Sequence, residues 1–167
     1  MTLRGSNEGQ PQNAARHASR LAAVQAIYQM ELTGADAESV ADEFVEHRFG
    51  PDREMGEPDE ALFGAIVRGV PHHQSEIDRA ITGSLASGWR LSRVDSILRA
   101  ILRAAAFELV ARKDIPARVV LDEYVEISHA FFGGDEPSFV NAALDKIARA
   151  KRAPEFGQKL PDDEPEF

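Results

Sequence analysis

Apolar residues recur along this chain at spacings of three and four, the period of an α-helix buried on one side. No stretch alternates with the period of two that a half-buried strand would show. The first such pattern is predicted to start after Asn13, a good N-cap, and to end at Gly34. Leu21, Val24, Tyr28 and Leu32 share one face of it, and Arg16, Arg20 and Ile27 an adjacent one. Asp36 should cap a second helix that turns Val40 and Phe44 inward. Gly50, Pro51, Gly56 and Pro58 predict a loop from Phe49 to Pro58. A third helix follows from about Asp59, with Leu62, Ile66 and Val70 in register, until Pro71 breaks or kinks it. A fourth carries Ile77, Ile81 and Leu85 and closes at Gly88.

Ser92 and Asp95 read as a capping box opening the longest helix, which should end near Lys113. That helix has two apolar stripes. Val94, Leu98, Ile101, Leu102, Ala105 and Leu109 form one; Ala100, Ala104, Phe107 and Ala111 form the other. A helix apolar on two sides is packed on both, so it is expected to be the spine of the fold. Arg103 lies between the stripes, where a half-buried ion pair is expected. Asp114-Ile115-Pro116 restarts the chain into a helix with Val120, Tyr124, Ile127 and Phe131 inward and Asp122, Glu123 and Glu126 outward. Gly133-Gly134 ends it. Asp135 or Glu136 caps the last helix, Pro137 suits its first turn, and Val140, Ala143, Leu144 and Ile147 point inward. The expectation is an all-α fold of about seven helices in a single domain over 14–152, built as two packed bundles. A flexible extension over 1–13 would precede it and an acidic disordered tail over 153–167 would follow.

Composition narrows the function. The chain has 167 residues and no cysteine, which removes thiolate catalysis and cysteine-based metal or disulfide sites. No apolar run approaches the roughly 18 residues that span a bilayer, and the polar opening offers no signal peptide, so a cytoplasmic protein is expected. The net charge of −9 is unevenly spread. Asp36 to Glu60 holds ten acidic and two basic residues, whereas Gly88 to Lys113 holds six basic and two acidic. A phosphate chain feels the local field, because salt screens beyond about 8–10 Å. RNA is therefore compatible with this chain at a confined site.

Candidate chemistry is sparse. The five histidines make no metal-ligand spacing, and His72-His73 and His129 read as structural residues at helix ends. No phosphate-cradling glycine loop or marked carboxylate pair is present, so neither a catalytic residue nor a cofactor or metal is expected. The cations are more informative. Arg16, His17 and Arg20 fall in the first turns of the predicted opening helix, where free N–H groups and the dipole favour phosphate. Lys146, Arg149, Lys151 and Arg152 end the last helix, where positive charge also satisfies the helix C-terminus. Phe139, at the edge of the last helix's inward stripe, could pack in the core or stack on a base.

Several segments together resemble the NusB family. They are Ala14-Ala15-Arg16 through Val24-Gln25-Ala26-Ile27-Tyr28-Gln29; Ala100-Ile101-Leu102-Arg103 with Phe107-Glu108-Leu109; Asp114-Ile115-Pro116 with Val119, Glu123, Val125-Glu126 and Ala130-Phe131; and Phe139-Val140-Asn141 with Leu144-Asp145-Lys146. The resemblance covers nearly all of 14–152, and its two C-terminal motifs are the most specific. It implies a non-catalytic transcription antitermination factor. Such a factor binds boxA RNA together with ribosomal protein NusE and joins the antitermination complex on RNA polymerase, chiefly for ribosomal RNA. It further implies RNA contacts at Arg16, His17, Arg20, Tyr28 and Phe139, and a tuning or partner-binding role for Asp135 and Glu123. His17 stands where the family has an arginine, Ala18 and Ser19 add no charge, and Ser138 replaces a common basic residue. Binding without NusE is thus expected to be weak. Two other readings are a helical adaptor and a module associated with ribosomal RNA methylation, since a NusB-like domain also precedes some cytosine methyltransferases. Monomer and homodimer both stay open, because the alanine-rich stripe could pack inside the fold or against a second copy.

Overall fold

The computed structural model describes residues 4–157, with side chains from Gln12 onward. The described residues form seven α-helices and no strand, as the periodicity predicts. They fall into two compact units, Met1–His72 and His73–Phe167.

The first unit holds α1 (Arg4–Thr33), α2 (Ala37–His47) and α3 (Glu60–His72). Helix α1 begins at Arg4, so Asn13 is interior to it and does not cap it. Its buried surface also differs from the expected one. Ala22, Ala23, Val24, Ala26 and Ile27 are buried, whereas Leu32 is 62% exposed and Leu21 and Tyr28 are half-buried. Short alanine side chains let a neighbouring backbone approach closely, so the buried face follows the alanines more than the large residues. Gly34 ends α1 with a left-handed φ of 73°, its N–H donating to the Met30 carbonyl. Asp36 caps α2 by accepting from the Ser39 amide at 2.8 Å, and that bond holds its carboxyl below the usual range. Phe44, Phe49 and Phe63 meet in the core of this unit, and the Arg48 guanidinium lies 4.3 Å from the Phe44 ring centre. Pro71 sits inside the last turn of α3, and the helix ends one residue later.

The second unit holds α4 (Gln74–Ser84), α5 (Ser96–Ala111), α6 (Ala117–Phe131) and α7 (Glu136–Lys151). Two 3-10 turns, Leu91–Arg93 and Ala153–Phe156, complete it. Here α5 is the expected spine: it packs against α4, α6 and α7, and Leu98 to Leu109 are buried at every position except Arg103. Arg103 makes the anticipated ion pair, donating from Nε and Nη2 to Asp78 at 2.9 and 3.1 Å. The capping box is corrected. Ser92 lies in the preceding 3-10 turn, and Asp95 alone caps α5, accepting from the Ile97 and Leu98 amides. Tyr124, fully buried on α6, donates its hydroxyl to the equally buried Glu108 of α5.

The first residues of the expected acidic tail, Ala153–Phe156, form a 3-10 turn. Ala153 is buried, and Glu155 reaches back to accept from the Ala117 amide at 2.9 Å and from Arg152 at 2.7 Å. Glu155 thereby caps α6, whose own N-cap, Pro116, has no side-chain oxygen to offer. Residues 158–167 of the expected tail, and 1–3 of the expected extension, lie outside the described residues. The Ala117 amide, then Arg152, pull the Glu155 carboxyl below its ordinary 4.5. A carboxylate with a depressed folded pKa stabilises the fold above its unfolded pKa, and that contribution vanishes as pH falls through the folded value. The unfolding free energies of the native chain and Glu155→Gln should therefore differ at pH 7 and converge toward pH 3. A pH-independent difference in denaturant titrations would show that the charge of Glu155 is irrelevant.

Candidate nucleic-acid interface

Four of the expected RNA contacts share α1. Arg16 is exposed, His17 and Tyr28 are half-buried, and Arg20 is only 2% exposed. At that depth Arg20 does not present its guanidinium to solvent, unlike Arg16 one turn away. The supposed helix N-terminus is corrected. Because α1 begins three turns earlier, the amides around Arg16 lie within the helix, and phosphate would meet side chains instead of free N–H groups. What the fold adds is rigidity. Ser19, fully buried, donates its hydroxyl to the carbonyls of Ala15 and Asp59 at 2.9 and 2.7 Å. The Asp59 amide donates to the Ala15 carbonyl, and the Asp59 carboxylate accepts from the Leu62 amide to cap α3. The turn bearing Arg16 is thus tied to the start of α3.

The remaining expected residues, Glu123, Asp135 and Phe139, belong to the second unit. Glu123 is half-buried on α6, and Asp135 is exposed at the start of α7. Asp135 makes no side-chain cap bond; instead Glu136 turns back to accept from the Gly134 amide at 3.1 Å. Phe139 is half-buried, its ring centre 5.7 Å from that of Trp89 at an angle of 41°. Trp89 is not among the residues the sequence pattern marks. It is the chain's only tryptophan, it follows Gly88 and precedes Arg90, and it is 55% exposed. Its lack of any helical register hid it, although a tryptophan between a turn glycine and an arginine is itself a signal.

The C-terminal basic cluster shrinks in three dimensions. Arg149 pairs with Asp145 at 2.9 Å and lies over the Phe156 ring. Arg152 is 3% exposed and serves the end of α5, not that of its own helix. Lys146 and Lys151 remain, lining with Arg79 a crevice of about 200 Å³ that has no acidic residue in its wall. A larger cleft of about 620 Å³ in the first unit is lined by Asp42, Glu46 and Glu60 beside Arg68. Arg68 is bonded to Glu38, so this cleft has the wrong sign for RNA. No helix among the described residues is long and apolar enough to cross a membrane.

A profile of the NusB family matches residues 17–149. The chain belongs to the NusB family. It is 51% identical over 156 residues to the transcription antitermination protein NusB of Maricaulis maris, covering 90% of this chain and 98% of that one. It is 54% identical over 140 residues to the protein of the same name from Caulobacter vibrioides, covering 82% and 94%. A solved structure of T. maritima NusB aligns with a TM-score of 0.71 at 31% identity, over 85% of this chain and 96% of that one. Family membership accounts for the all-α architecture, since the alignment with the T. maritima protein spans most of both chains.

Proposed function

We propose that this chain is a transcription antitermination factor that performs no catalysis and binds boxA RNA jointly with NusE, beside RNA polymerase in the cytoplasm. The observation that carries this reading is near-full-length similarity, at about half identity, to relatives named transcription antitermination protein NusB. Arg16 supplies the accessible phosphate contact, with His17 beside it on α1. Arg20 acts from within, as a buried support of the same helix. Few phosphate contacts mean weak binding by the chain alone and a shallow dependence on salt. A second subunit raises the affinity by holding more of the transcript at once.

The test is the affinity for single-stranded boxA RNA, with and without NusE, at two salt concentrations and against a scrambled RNA. NusE should tighten binding to boxA far more than to the scrambled sequence. Arg16→Ala should weaken both forms and lower the salt slope by about 0.7, the loss of one contact to a single-stranded phosphate. Equal affinity for boxA and scrambled RNA in the presence of NusE would overturn the assignment.

A further inference from the structure

We propose that Trp89 and Phe139 form a stacking platform for one unpaired base of a single-stranded RNA. This rests on the RNA-binding reading above and on the RNA contact that the family resemblance implies at Phe139; what it adds is Trp89, the ring beside it. The three large hydrophobic residues most exposed among the described residues are Leu32, Trp89 and Val119, and of these only Trp89 is aromatic. Its 41° tilt against Phe139 and its 55% exposure leave much of the indole open to solvent.

The surroundings hold the indole in place. The Trp89 amide donates to the Ala86 carbonyl, closing a turn in which Gly88 takes a φ of 90° that other residues rarely adopt. After Trp89 the chain enters the 3-10 turn Leu91–Arg93. The Arg99 guanidinium, only 9% exposed, donates to the carbonyls of Leu91 and Val94 at 3.1 and 2.6 Å. The segment carrying Trp89 is therefore anchored from beneath, and Phe139 is anchored by α7. An aromatic surface fixed in advance binds a base with little loss of its own freedom.

Charge favours a nucleic acid over a protein. Arg90 and Arg93 are exposed on the same segment, and both can meet phosphates that flank a stacked base. A protein docking site wants a contiguous apolar patch, whereas here the exposed neighbours in sequence are Ala86, Ser87, Gly88, Arg90, Ser92 and Arg93, of which only Ala86 offers an apolar side chain. Asp135 and Glu136 at the start of α7 repel phosphate from that helix end, so the contact is made through the base and not through the helix dipole.

Trp89, as the only tryptophan, reports on its own site. The full chain, alone at low salt, is titrated with a labelled single-stranded boxA oligonucleotide, and RNA anisotropy and tryptophan emission are followed together. Emission should be quenched in step with saturation. W89A should weaken binding about 5- to 100-fold, and W89F should recover most of the loss. The same RNA held in a duplex should not quench. Saturating anisotropy without quenching, and unchanged affinity in W89A, would overturn the platform while leaving the RNA-binding reading intact. Quenching by duplex as strong as by single strand would overturn it as well. So would a change in emission on adding NusE alone, coupled to loss of NusE but not RNA affinity in W89A, since Trp89 would then be a protein contact. Absence of any RNA binding, with or without NusE, would overturn both readings together.

Discussion

Arg152→Met is expected to destabilise the protein by about 3–5 kcal/mol, the range for removing one partner of a buried charged network. The Arg152 side chain is spent on five acceptors. Its nitrogens donate to the carbonyls of Glu108, Leu109, Ile115 and Arg112 at 3.0, 2.8, 2.8 and 2.7 Å, and to Glu155 at 2.7 Å. Glu108 and Leu109 lie in the last turn of α5; the Glu108 carbonyl also accepts from the Arg112 amide, while that of Leu109 is met by Arg152. A positive charge there also meets the negative end of the α5 dipole. Methionine matches the stem but takes this donor from the buried carbonyls of Leu109 and Ile115, each costing roughly 1–3 kcal/mol before relaxation or water entry; the Glu108 and Arg112 carbonyls keep their amide partners. Lysine keeps the charge and loses the planar fork, so Arg152→Lys should retain only part of the stability. Denaturant titration measures both variants. A loss below about 1 kcal/mol for Arg152→Met would mean that these carbonyls find water without cost.

Phe63→Ala is expected to cost about 3–5 kcal/mol in the first unit. Phe63 is fully buried, stacked on Phe44 at 5.7 Å and edge-on to Phe49 at 4.8 Å. Truncation removes the apolar burial and both ring contacts, and it leaves a void between helices that cannot close without moving α3 against its neighbours. Phe63→Leu preserves most of the volume and should cost much less. Urea titrations of the two variants provide the check. A similar midpoint for both would show that this site relaxes freely and that the ring cluster is not a packed core.

The two variants illustrate different degrees of legibility. Phe44 and the α3 pattern around Phe63 were readable, because each belongs to an amphipathic helix whose register is local. Arg103 was readable for the same reason: its place between two apolar stripes of α5 predicted a half-buried partner, which is Asp78. Arg152 looked like one more cation in a basic cluster. Its acceptors lie about 40 residues away in sequence, at the end of another helix, and no local pattern announces them. The depth of Arg20 is equally hidden from local pattern: one helical turn from Arg16, it shares the charge but not the exposure. Trp89 fell outside every register, so only its ring contact with Phe139 marked it.

Helix type, approximate boundaries and family motifs depend on residues three or four apart, and one-dimensional order preserves those spacings. They are accordingly legible in the sequence alone. Solvent depth, the partner of a long cation and the ring facing Phe139 depend on which distant segments the packing brings into contact. Burial converts identical side chains into opposite roles: Arg16 can offer its charge to a ligand, while Arg152 uses its own to close a helix.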